Sequence, residues 1–166
     1  MKKLLKCALL ITLLSLQGCN DKQNEDSSSI EEVSSNSSSM TTSDDKKEDN
    51  MKITLSINNN DFSATIYDNS TAKAFLDVLP LDLKMTELNG NEKYIYLDKT
   101  FPTNTEKVST INEGDIMLYG NNCLVIFYKS FKTSYSYSKI GKIDNPSNLA
   151  QIVGKDSINV KINQIN

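Results

Sequence analysis

Apolar and polar residues alternate in short runs through residues 51–166, and turn residues break the runs. Ile53, Leu55 and Ile57 alternate with polar neighbours, the period of a half-buried strand. Asn58-Asn59-Asn60-Asp61 is turn chemistry, and a second strand is predicted over residues 62–67. Asn69 or Ser70 caps a predicted helix that runs through Leu79. Ala72, Phe75, Leu76 and Leu79 lie on one face of it, and Pro80 ends it. Leu81, Leu83 and Met85 alternate again, and Asn89-Gly90-Asn91 turns into a strand over 94–97. Phe101-Pro102-Thr103-Asn104 reads as loop. Strands are predicted over 116–119, 123–128 and 135–143, the first two separated by Gly120-Asn121-Asn122. Asn145-Pro146 sets a cap and a first-turn proline in the order that starts a helix, here ending near Val153 and Gly154. A last strand covers 157–162. Many short strands with turns between them predict a mainly β domain, a barrel or sandwich carrying two short helices.

The first fifty residues follow a different pattern. Lys2, Lys3 and Lys6 precede an apolar run over 7–16, a length that suits a signal-peptide core and is too short to span a bilayer. The run closes on Leu16-Gln17-Gly18-Cys19, which resembles the lipobox of bacterial lipoproteins. The resemblance implies that residues 1–18 are a signal peptide cut before Cys19. It also implies that the Cys19 thiol receives a diacylglyceryl group, a lipid anchor with palmitate as acyl chain, and that Cys19 becomes the new N-terminus. The domain is then expected outside the cytoplasm, anchored in the bacterial cell envelope through that lipid. Residues 19–50 hold Ser27-Ser28-Ser29, Ser37-Ser38-Ser39 and Asp44-Asp45, with Ile30, Val33 and Met40 as their only aliphatic side chains. Such a segment buries too little apolar area to offset its ordering entropy and reads as a disordered tether. As a flexible coil it spans about 30 Å root-mean-square.

Charge divides along the same boundaries. Residues 20–50 carry three lysines against nine carboxylates, while 51–166 carry twelve of each. A neutral domain offers no basic field for nucleic acid, and no nucleic-acid partner is expected. Every basic residue is lysine: the chain has no arginine, no histidine and no tryptophan. It therefore has no imidazole for base chemistry near neutrality and no guanidinium fork for phosphate or carboxylate. Without histidine, a CxxC pair or a calcium-loop pattern, no metal and no cofactor is expected. Cys7 leaves with the signal and Cys19 is lipidated, so Cys123 remains alone in the apolar run 123–127 and reads as a buried structural thiol.

Several segments resemble, in order, the bacterial cyclophilin-like domains. They are Gly114-Asp115-Ile116-Met117-Leu118-Tyr119-Gly120, Leu124-Val125-Ile126-Phe127-Tyr128-Lys129-Ser130-Phe131, Ser134-Tyr135-Ser136-Tyr137 and Ile140-Gly141-Lys142-Ile143. The helix at 70–79 and the Leu88-Asn89-Gly90-Asn91-Glu92-Lys93-Tyr94 turn fit as well. The resemblance implies a closed, mostly antiparallel cyclophilin-like β-barrel with a helix at each end, occupying residues 51–166. It does not carry catalysis with it. Cyclophilin isomerases rely on an arginine to weaken the prolyl amide, in a cleft that commonly holds histidine and tryptophan, and this chain has none of the three. A lysine is a hydrated point charge on a flexible stem and replaces that arginine poorly. No catalytic residue is nominated.

The aromatic cluster is the candidate surface. Phe127, Tyr128, Phe131, Tyr135 and Tyr137 fall within eleven residues, with Lys129, Lys132 and Lys139 among them. Tyr128, Phe131, Tyr135 and Tyr137 are the candidate ligand-binding residues, because tyrosine offers a flat apolar body with a polar tip. The same rings are also ordinary strand residues that can pack a barrel and cover its ends. The expected role is a tethered binding module for a peptide, a small ligand or an envelope protein, without turnover. The alternative is a prolyl isomerase or envelope foldase with a rebuilt site.

Overall fold

The computed structural model describes residues 51–165. The expected signal peptide (1–18), Cys19 and the expected tether to residue 50 lie outside the described residues. The chain opens on a hairpin of β1 (Lys52–Ile57) and β2 (Asn60–Ile66). Its two corner residues, Asn58 and Asn59, both take positive φ, the conformation that matches the strand twist in a two-residue turn. Then follow α1 (Ser70–Leu76), β3 (Leu81–Leu88) and β4 (Glu92–Tyr96). A covering segment carries β5 (Thr105–Lys107) and β6 (Thr110–Ile111). β7 (Asp115–Tyr119) and β8 (Cys123–Phe127) form a second hairpin. The chain ends with β9 (Phe131–Lys132), β10 (Ser136–Ile143), α2 (Leu149–Val153) and β11 (Ile158–Gln164).

Eight of these strands close on themselves. The order β2-β1-β11-β3-β4-β8-β7-β10 returns to its start because β10 also pairs with β2, and every pairing is antiparallel. The mainly β, closed-barrel expectation is met. Closure leaves the barrel strands no open edge. Gly141 is needed at the seam: a Cβ there would stand 2.5 Å from the backbone oxygen of Thr65. A register shift between Lys139 and Gly141 bends β10 at the same place.

The interior follows from the pleat. Ile53, Leu55 and Ile57 of β1 meet Phe62, Ala64 and Ile66 of β2, and Val160 and Ile162 of β11 continue the layer. The helices plug opposite ends. Leu76 O of α1 accepts from Gln164, which lies beside Ile53 at the start of β1, whereas Ile152 O of α2 accepts from Asn58 at the end of β1. Asn69 is the cap of α1, its side chain accepting from Ala72 N at 2.9 Å.

Both helices are shorter than the pattern predicts. Val78 and Leu79 bond back to Phe75 and Leu76 in tight i to i+3 turns, so α1 ends at Leu76 and not Leu79. Asn145-Pro146 forms a turn, closed by Leu149 N donating to Pro146 O at 2.8 Å, and α2 begins only at Leu149. β5, β6 and β9 were not predicted; strands of two or three residues leave no alternation to read.

β7 and β8 are buried on both faces. Ile116, Leu118, Leu124 and Ile126 point into the barrel, while Met117, Cys123, Val125 and Phe127 point outward into a second apolar cluster. Val108, Ile111 and Phe131, from the covering segments, close over that outer cluster. This two-sided burial explains why residues 123–127 read as a continuous apolar run.

Candidate ligand-binding face

The outer face of β4, β8, β7 and β10 carries a continuous set of rings. Phe131 meets Phe127 at 5.8 Å between centroids, Phe127 meets Tyr137 edge-on at 5.6 Å, Tyr137 meets Tyr119 at 5.7 Å, and Tyr119 meets Tyr135 edge-on at 6.1 Å. On β4, Tyr94 and Tyr96 pack edge-on at 6.0 Å. Offset and edge-on pairs are the favoured geometries and hold the rings in place. The set runs from buried to wet: Tyr137 is buried, Phe131 half-buried, and Tyr135 and Tyr96 are 44% and 57% exposed. Tyr135 and Tyr137 share a side, as the sequence predicts, since both rest on Tyr119. Burial holds the Tyr137 phenol well above its ordinary value, with the Glu92 charge adding to it.

Glu92 belongs to this face. It alternates with Lys93 and shares its side of β4 with Tyr94 and Tyr96. Its cross-strand neighbours are apolar, Leu88 on β3 and Phe127 on β8. It is 9% exposed, and among the described residues no hydrogen bond or ion pair reaches its carboxyl. Burial pushes its carboxyl up to about 7, and the charge of Glu87 pushes the same way.

Tyr128 sits elsewhere. It is the first residue past β8, and its hydroxyl donates to both oxygens of Glu87 at 2.8 Å. Glu87 also accepts from Gly90 N at 2.8 Å and pairs with Lys93 Nζ at 2.6 Å. Lys93 is wholly buried; its ammonium also donates to Gly154 O at 2.9 Å and Asp156 O at 2.7 Å, and stands 5.3 Å from the centre of the Tyr128 ring. Burial pushes the Glu87 carboxyl up, but the hydrogen bonds from Lys93, Tyr128 and Gly90 outweigh it and hold it below the usual carboxylate range. The hub ties the end of α2 and the start of β11 to the β3–β4 hairpin. Beside it, Lys129 and Lys155 border an open hollow of about 400 Å³.

The model of the cyclophilin-like family matches residues 55–163, which covers most of the chain and nearly all of the described barrel. The chain belongs to the cyclophilin-like family. Among solved structures, a hypothetical protein of Archaeoglobus fulgidus, determined in solution, shares the fold. It is 17% identical, with a TM-score of 0.51 over 70% of this chain and 95% of that one. No curated protein matches the chain.

Within the cyclophilin-like domain, then, three of the four candidate residues are brought together and one is not. Phe131, Tyr135 and Tyr137 lie on the outer face, and Tyr128 belongs to the Lys93 hub. Sequence reasoning did not single out Glu92, Tyr94 or Tyr119 for the face, nor Glu87 and Lys93 for the hub. The Glu92-x-Tyr94-x-Tyr96 period was available as a signal, but only the sheet register shows that it meets Phe127. Among the described residues no group of three metal-ligating side chains comes together, and no helix is long and apolar enough to cross a membrane.

Proposed function

We propose that this protein is a lipid-anchored, extracytoplasmic binding module whose outer aromatic face holds a peptide, a small ligand or a segment of an envelope protein. The observation that carries the reading is the graded face itself: exposed Tyr96 and Tyr135 at the rim, backed by fixed rings from Tyr119 to Phe131. Exposed tyrosine on a rigid backing gives contact area at low entropic cost. The missing arginine, histidine and tryptophan argue against turnover at that face. The Leu16–Cys19 motif supports the anchor. In a bacterial host, Cys19→Ser is expected to abolish incorporation of labelled palmitate and to move the protein out of the membrane fraction. Unchanged labelling would remove the anchor from the proposal.

The face is tested with a panel of Xaa-Pro peptides, followed by NMR both for binding and for cis–trans exchange. Binding is expected to shift residues around Tyr135 and Tyr96, to weaken several-fold in Tyr135→Ala, and to leave the exchange rate at its uncatalysed value, set by a barrier of about 20 kcal/mol. Accelerated exchange that one outer-face substitution removes would make this an envelope foldase.

A further inference from the structure

Glu92 is placed where an isolated domain gains nothing from it. A carboxyl flanked by Leu88 and Phe127, and next but one to Tyr94, loses most of its hydration and receives no hydrogen bond in return. An apolar side chain would pack there at lower cost. No lysine offsets its charge: the ammonium of Lys93 points to the other side of β4, into the hub. The titratable groups whose charge reaches it are the Glu87 carboxylate and the Tyr128 phenol, both from the hub side of the sheet, and the Tyr137 phenol from β10. The surroundings are thus a single acidic acceptor, rings on several sides, and no cation.

We propose that this face takes an organic cation, a primary or quaternary ammonium such as a lysine side chain of a bound peptide, with the Glu92 carboxylate as its counter-ion and the rings of Tyr94, Tyr137 and Phe127 as its walls. The proposal rests on the reading of the outer face as a binding surface and names the ligand chemistry. Aromatic faces attract a cation through their quadrupole, and more strongly where water is excluded. A carboxylate beside them supplies the counter-charge that the protein lacks. The remaining exposure of Glu92 and the half-buried Tyr94 beside it give the approach. The proton and the cation then compete for one carboxyl. With a carboxyl that titrates near 7, affinity for the cation weakens about tenfold between pH 8 and pH 6.

The test uses the full chain in a non-ionic detergent and two capped amino acids that differ in charge, Nα-acetyl-lysine amide and Nα-acetyl-norleucine amide. Binding is followed by NMR shifts at the amides of Tyr94, Phe127 and Tyr137. At pH 8 the lysine probe is expected to bind at least ~10-fold more tightly than the norleucine probe, a preference that vanishes in Glu92→Gln and fades by pH 6. Removing this carboxyl relieves a desolvation cost, so the variant folds. Equal binding of the two probes overturns the cation site and leaves the binding face standing. A lysine preference that survives in Glu92→Gln overturns the role of Glu92. Absence of saturable shifts with the lysine probe at ~50 mM overturns the proposal, and the Xaa-Pro panel then decides the face by itself.

Discussion

Replacing Lys93 with methionine should lower the stability of the domain by about 3 kcal/mol or more. Methionine keeps most of the stem volume, so the loss isolates the ammonium. In the wild type that group satisfies three acceptors at once: Glu87 at 2.6 Å, Gly154 O at 2.9 Å and Asp156 O at 2.7 Å. Without it, two backbone carbonyls lose a donor and Glu87 keeps only Tyr128 and Gly90. The rest of Glu87 is partly exposed and can rehydrate, which places the effect near the low end of what breaking a buried pair costs. Urea denaturation at pH 7 measures it. Amide exchange should also quicken around Gly154 and Asp156, because the hub is what ties that turn down. Adding Glu87→Gln to Lys93→Met should recover part of the loss. A stability change below ~1 kcal/mol, with exchange unaltered, would mean the hub is dispensable.

The second large effect is of opposite sign. Glu92→Gln should stabilise the domain at pH 8 by up to ~3 kcal/mol and leave it unchanged near pH 4.5. The folded carboxyl is raised from 4.5 to about 7, so between those values the folded chain holds a proton that the unfolded chain has released. Stability is therefore full below about 4.5 and falls as pH rises through 7. Glutamine resembles the protonated acid and removes the dependence. Glu87 and Asp144 act in the other direction. Burial raises the Asp144 carboxyl, but hydrogen bonds from Lys52, Thr65 and Ser63 hold it below its ordinary value. Their contributions are present above the unfolded carboxylate range and are lost as pH falls through the depressed folded values. The wild type should thus be most stable in mildly acidic solution and the variant should plateau to higher pH. Denaturation midpoints from pH 4.5 to 8 decide it. Parallel curves for the two proteins would show that Glu92 is ionised and hydrated in the folded state.

How much of this was legible follows from the range of each interaction. The β1–β2 hairpin, the Asn69 cap and the Asn89-Gly90 corner are local: their cause lies within a few residues, and Asn58, Asn59, Asn89 and Gly90 take positive φ as their types suggest. The apolar run 123–127 reads as a strand from its sequence, but its double burial depends on residues 108, 111 and 131 folding over it. β5, β6 and β9 exist because that cover pairs with itself and with β10, and no period within two or three residues announces it. The aromatic cluster was visible as composition. Its division was not, since Phe127 and Tyr128 are adjacent in sequence and point to opposite sides of β8.

The sequence by itself determined the strand period, the turn chemistry, the neutral domain without arginine, histidine or tryptophan, and the lipobox-like motif that proposes the anchor. These are properties of composition and of near neighbours. Only the tertiary structure decided which face of each strand is covered, that β10 closes the barrel against β2, that Lys93 is stapled between Glu87 and two backbone carbonyls some sixty residues on, and that Glu92 is buried without a cation. Each of those depends on sheet register between distant segments. A shift of one residue would turn Glu92 inward and Lys93 outward, and the local pattern of charges would look the same.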